Sequence, residues 1–131
     1  MLDSLPGVGL PIAEAFVTSA RTAAGLLTSG AVGERWGAES ACAGMTVGGL
    51  AFHLAAQPGR SAEILSSPPA GPGDLISVEE HYRRAAWANT GPDEEVNVTI
   101  RTSADDEAAA GHEGRCAKVA ADLEALPVAL F

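Results

Sequence analysis

The stretch Cys42-Ala43-Gly44-Met45-Thr46-Val47-Gly48-Gly49-Leu50-Ala51-Phe52-His53-Leu54-Ala55 reads as a turn, a helix start and an apolar stripe with one histidine on its flank. Thr46 suits the N-cap, because its hydroxyl accepts a hydrogen bond from an orphan N–H of the first turn. Val47, Leu50, Ala51 and Leu54 recur at i, i+3, i+4 and i+7, the spacing of a buried helical face. At about 100° per residue, His53 falls about 60° from Leu50. An imidazole there points along a seam between helices. It either makes one hydrogen bond to backbone or water, or ligates a metal with partners from other helices.

Toward the N-terminus, residues 1–10 hold one proline and two glycines and read as an irregular lead-in. Pro11 is tolerated in a first helical turn. From Ile12 to Leu27 the residues Ile12, Ala15, Phe16, Ala20, Ala23, Ala24 and Leu27 keep helical spacing, and Thr28-Ser29-Gly30 offers a stop with Gly30 as C-cap. In the connection 31–45, Trp36 is either a plug over the end of a bundle, its N–H on a carbonyl, or part of a ligand pocket. Cys42 is either a buried inert thiol or one activated by the nearby helix start.

Toward the C-terminus, the helix begun at Val47 runs to about Leu65. Pro58 predicts a kink near Gln57 or a separate short helix over 59–65. Ser66-Ser67-Pro68-Pro69-Ala70-Gly71-Pro72-Gly73 is a loop. Ser77, with Glu80 three residues on, fits a capping box opening a helix of about three turns that ends at Gly91-Pro92. On it Glu80, His81, Arg83 and Arg84 form either a salt-bridged exposed face or a receiver for a substrate carboxylate. Val96–Ile100 alternates like a strand, but the Ala/Glu/Asp-rich run beyond it favours a long helix from 96 onward. Gly111 and Gly114 flank His112 and predict a break or kink there. Cys116, Val119, Ala120, Leu123 and Leu126 then resume helical spacing until Pro127 stops it.

The 131 residues fit one domain, 1–131, long enough to bury a core. Apolar residues make up 47% and aromatics only 5%, which favours close-packed helices over a sheet. The fold class expected is all-α, an up-and-down bundle of three to four main helices. A net charge of −9 repels nucleic acid and anionic membranes, setting both aside as partners. Two cysteines, no signal-like segment and no apolar run near ~20 residues point to a cytoplasmic setting.

Trp36, the run Ser40–Val47 and the run Leu50–Ala55 resemble the N-terminal signature of the mycothiol-dependent maleylpyruvate isomerase family, within the DinB-like metal-binding four-helix bundles. That signature is a tryptophan, then Ser-x-Cys-x-Gly-Trp-Thr-Val, then a helix with a histidine before Leu-Ala. The stretch Glu80–Trp87 and the segment Arg101–Leu126 are similar to actinobacterial members. The resemblance implies a divalent metal, typically zinc, held by His53 and by a Glu-x-x-x-His pair on a later helix. The chain has Met45 where the signature has its second tryptophan. Gly48 and Gly49 stand at the helix start, each costing about 1 kcal/mol relative to Ala. No Glu-x-x-x-His or His-x-x-x-His occurs, so the sequence reads as three helices of a four-helix unit, incomplete at the C-terminus.

Two functions follow as expectations. In the first, His53 ligates zinc, with His81 and His112 as the remaining histidines able to join it. A low-molecular-weight thiol such as mycothiol, activated at the metal, then adds to a small electrophilic substrate in an isomerase or transferase reaction. In the second, the chain is a non-catalytic helical interaction or dimerisation module, or a truncated fragment, that has lost the metal site.

Overall fold

A computed structural model describes residues 10–68, 71, 73 and 75–130. The lead-in expected before residue 10 and part of the proline-rich loop lie outside the described residues. Among the described residues six α-helices form: α1 (Leu10–Leu27), α2 (Gly30–Glu34), α3 (Val47–Ser66), α4 (Val78–Arg84), α5 (Glu95–Ala108) and α6 (Gly111–Leu130). A 3₁₀ turn, Ala86–Ala88, follows α4. Among the described residues the only β pairing is an isolated bridge between Glu39 and Thr46. The all-α class is as the composition predicts.

Four long helices, α1, α3, α5 and α6, make the bundle. Residues 96–126 do not form one kinked helix. The chain turns back at Ala109-Ala110, and Gly111 takes φ +87°, a left-handed conformation that glycine adopts without steric cost. The described residues therefore hold four long helices, the upper end of the expected three to four, and the three-helix reading of an incomplete unit is corrected.

Pairings along the helices give their directions. Ala51 and Ala55 share a cluster with Ala24, Leu27 and Val119, while Ala62 shares one with Val17, Ala20 and Leu126. Hence α3 and α6 run parallel, and α1 runs antiparallel to both. Thr46 meets Asp105, and Trp36, beside Gly48, meets Ala108, so α5 is antiparallel to α3. The order is up, down, up, down. The parallel pair α3 and α6 packs closely at the centre, with α1 and α5 on its flanks.

The face that α3 buries is not the one its leucines mark. Gly48, Gly49, Ala51, Ala55, Pro58, Gly59 and Ala62 are buried, whereas Leu50 and Leu54 remain 38% and 45% exposed. Small residues win because neighbouring groups come too close for larger ones. A Cβ on Gly48 would lie 2.7 Å from the Trp36 indole, and one on Gly59 would lie 2.7 Å from the Asp122 carboxylate. On Gly49 it would collide with Asp105. Among the described residues, Leu126 is the one large side chain that is fully buried.

Several local expectations meet their physical limits. Thr46 Oγ1 accepts from Gly49 N–H at 2.9 Å, as an N-cap should. Pro58 sits inside a continuous α3 rather than dividing it. Pro127 does not stop α6, which runs on to Leu130. The lost hydrogen bond there is offset by packing, since Leu126, Ala129 and Leu130 close over Val17 and Ala20. Gly30 begins α2 instead of capping α1. The helix at Ser77 is two turns, not three. Asn89 Nδ2 donates to the carbonyls of Tyr82 (2.9 Å) and Ala85 (2.7 Å), satisfying the end of α4 and turning the chain away.

The glycine reading is testable with a pair of variants. Gly25 on α1 has open space around it, so Gly25→Ala should stabilise by about 0.5–1 kcal/mol through helix propensity. Gly48→Ala gains the same propensity but meets the pinned Trp36 ring, and overpacking of about 1–3 kcal/mol should make it net destabilising. Urea denaturation measures both. Stabilisation at both sites would refute a core set by close approach to Gly48.

Candidate functional site

An open groove of about 1370 Å³ lies between α3 and α5, lined among others by Met45, Leu50, Leu54, Trp87 and Ile100. Its floor reaches Met45 and Ala104, each 3% exposed, so it penetrates to the bundle core. The leucines turned out of the core by the glycine and alanine face of α3 therefore line this groove.

The wall opposite α3 is held by two side chains of α5. Asn97 Nδ2 donates to the carbonyls of Trp87 (3.2 Å) and Gly91 (3.0 Å) and to Thr90 Oγ1 (3.2 Å). Arg101 Nη1 donates to the Pro92 carbonyl at 2.6 Å. These bonds fix the segment 87–92 against α5 and place Trp87, 48% exposed, beside the groove. Arg60 and Arg101 bring positive charge to the lining, with Glu107 as its carboxylate. The ion pairs among the described residues use Arg83 and Arg84 with Glu80, and Lys118 with Asp122, and so engage neither groove arginine.

The three histidines lie in different places. His53 is exposed and lines the groove together with Cys42, also exposed. His81 is exposed on α4, its ring edge-on to Tyr82. His112 is partly buried near the start of α6, its Nε2 within 3.0 Å of the Leu27 carbonyl and its ring centroid 5.3 Å from that of Trp36. Cys116, one turn on, places its Sγ 3.5 Å from the same nitrogen. With Nε2–H given to Leu27, His112 is a fastener between α6 and α1.

The residues present do not fit the implied zinc. Among the described residues no three His, Cys, Asp or Glu side chains are grouped so as to hold a metal ion. A working zinc site takes three protein ligands and an open position, which His53 alone does not supply.

Two other sequence-level candidates resolve in one direction. Trp36 is the plug over the bundle end, its Nε1–H donating to the Ala108 carbonyl at 2.9 Å. Arg83 and Arg84 are committed to Glu80. Arg83 bonds it through Nε and Nη2 at 2.6 Å each, and Arg84 through Nε at 2.5 Å. Ser77 Oγ accepts the Glu80 N–H at 3.1 Å, but the return half of the capping box is replaced by these ion pairs. Arg60, Trp87, Ile100 and Arg101 were missed. The only available signal was that Leu50 and Leu54 exceed what a glycine- and alanine-lined seam accommodates.

Comparison with family models, curated proteins and solved structures finds no match for this chain. No described helix is long and apolar enough to cross a membrane.

The α4 ion pairs carry a pH signature. Arg83 first, and then Arg84, hold the Glu80 carboxyl below the ordinary glutamate value. A depressed folded-state value means that the contribution is complete above the unfolded-state value and is lost as pH falls through the folded one. Protection of the α4 amides should therefore fall as the solution is acidified below the ordinary glutamate range, about pH 4.3. In Glu80→Gln it should be weaker at neutral pH, without that acid step. Hydrogen exchange followed by NMR reads both, and an unchanged acid profile in the variant would remove Glu80 as the cause.

Proposed function

We propose that this chain is a non-catalytic helical binding module whose working surface is the groove between α3 and α5. The observation that carries the reading is the inversion of side-chain size across α3. Glycine and alanine fill the core face, while Leu50 and Leu54 stand at 38% and 45% exposure in the groove. Removing a leucine side chain fully from water is worth about 1.5–3 kcal/mol, so two half-covered leucines, with Trp87 beside them, reward whatever covers them. A groove that is largely apolar with a few polar groups at its edges is the form of a ligand site.

The metal-dependent thiol chemistry implied by the family resemblance draws on His53, which lines the same groove as Cys42 and Glu107. These are of ligating type but are not grouped for a metal, and no catalytic step is derived from them. For that chemistry a second chain would have to complete the ligand set.

The test is binding of the neutral apolar dye Nile red, together with metal analysis of the purified protein. The expected outcome is saturable binding at one site per chain, weakened by about tenfold or more in Leu54→Lys, an exposed position where the fold tolerates the change. Zinc content should be well below one equivalent and equal in wild type and His53→Ala. One equivalent of zinc, lost in His53→Ala, would overturn the proposal in favour of the metal enzyme.

A further inference from the structure

Resting on that reading, we infer that the groove's occupant is a free medium-chain fatty acid, with its tail on Leu54, Leu50 and Ile100 and its carboxylate at Arg60. The tail follows from the lining and its length. From Leu50 to Arg60 is ten residues of α3, about 15 Å at 1.5 Å per residue, comparable with an extended decyl to dodecyl chain. Along it Leu50, Phe52 and Leu54 are the apolar lining side chains and His53 and Gln57 the polar ones, with Ile100 on the α5 side and Met45 and Ala104 as the buried floor.

The head group follows from charge. The chain carries −9 overall, yet its groove lining holds Arg60 and Arg101 against the single carboxylate of Glu107. Arg101 already donates to the Pro92 carbonyl, which assigns it to the wall. Arg60 is exposed and has neither a hydrogen bond nor an ion pair to any described residue. It thus offers a fork of donors to one carboxylate at the edge of an apolar surface.

The same charges argue against a protein helix as occupant. A helix with several carboxylates is repelled by the field of a −9 chain, and a basic one is repelled locally by Arg60 and Arg101. On the far side α5 contributes the charged residues Arg101 and Glu107, of which Arg101 is already bonded to the Pro92 carbonyl, so an acidic helix meets no second free cation there. A single-headed monoanion needs only one.

The experiment is competition against Nile red by decanoate and by decan-1-ol, both below their aggregation limits, on wild type and Arg60→Gln, with chain mass followed by light scattering. Decanoate should displace the dye about tenfold more tightly than decanol, the scale of one charge-assisted hydrogen bond. In Arg60→Gln the ratio should fall to about one, with decanol as the internal reference. Equal displacement by the two on wild type, or a preference for decanoate that survives in Arg60→Gln, overturns the fatty-acid inference while the binding-module reading stands. Nile red that does not bind a monomeric chain overturns both. Loss of dye binding as the chain dimerises replaces the fatty acid with a second copy as the occupant.

Discussion

The bundle depends on how closely the segment around Trp36 and the end of α5 approach the start of α3. The indole N–H of Trp36 takes the carbonyl of Ala108, the last residue of α5, across 72 positions of sequence. That carbonyl is one of the four that a helix leaves without an internal partner. The indole reaches it by lying over Gly48, where a methyl group would stand 2.7 Å from the ring. One turn earlier on α5, Asp105 Oδ1 accepts from both the N–H (2.9 Å) and the hydroxyl (2.7 Å) of Thr46, the residue that caps α3. It does so from against Gly49. The two glycines that look like a propensity cost at a helix start are therefore what admits the neighbouring segments. About 1 kcal/mol of propensity at each position is exchanged for hydrogen bonds that close one helix end and cap another.

This constraint explains which parts of the fold were legible in the sequence. The helix of Thr46 and Val47 was readable because capping and periodicity are local. Its boundaries follow, from Val47 to Ser66. So was the role of Trp36, since an indole in a short connection needs both burial and an acceptor. The buried face of α3 was not. Periodicity ranks positions by hydrophobicity, and Leu50 and Leu54 outrank glycine, but the distance between helices is set by what the neighbours carry. Asp105, Asp122 and the Trp36 ring all press against glycines. Nothing within the Cys42–Ala55 stretch names those neighbours.

The ends of helices show the same division. The reversal at Gly111 was marked by glycine, but its amplitude, a full return rather than a kink, is fixed by the left-handed φ there together with the docking of His112 on Leu27 and Trp36. Pro127 and Pro58 weighed too heavily in a local reading. Each removes one backbone bond, yet each lies in a helix held by tertiary packing, with Leu126 wholly buried beside the first and Gly59 and Ala62 buried beyond the second. The end of α4 is set by Asn89, whose side chain bonds carbonyls four to seven residues back, a contact that periodicity does not encode.

For the candidate site, the sequence supplied His53 and its helix but assigned the leucines beside it to the core. Turning α3 so that its small residues face inward moves His53, Leu50 and Leu54 together onto the outside. There His53 stands apart from His81 on α4 and from His112 between α6 and α1. A bundle that converged three histidines would have to present them all to its interior, and the interior of this one has room for little beyond alanine and glycine on α3. The close packing that leaves only small residues of α3 at the centre is thus the same packing that turns two leucines outward into the groove. The glycines at 48, 49 and 59 set both how closely the neighbours approach α3 and which of its side chains face the groove.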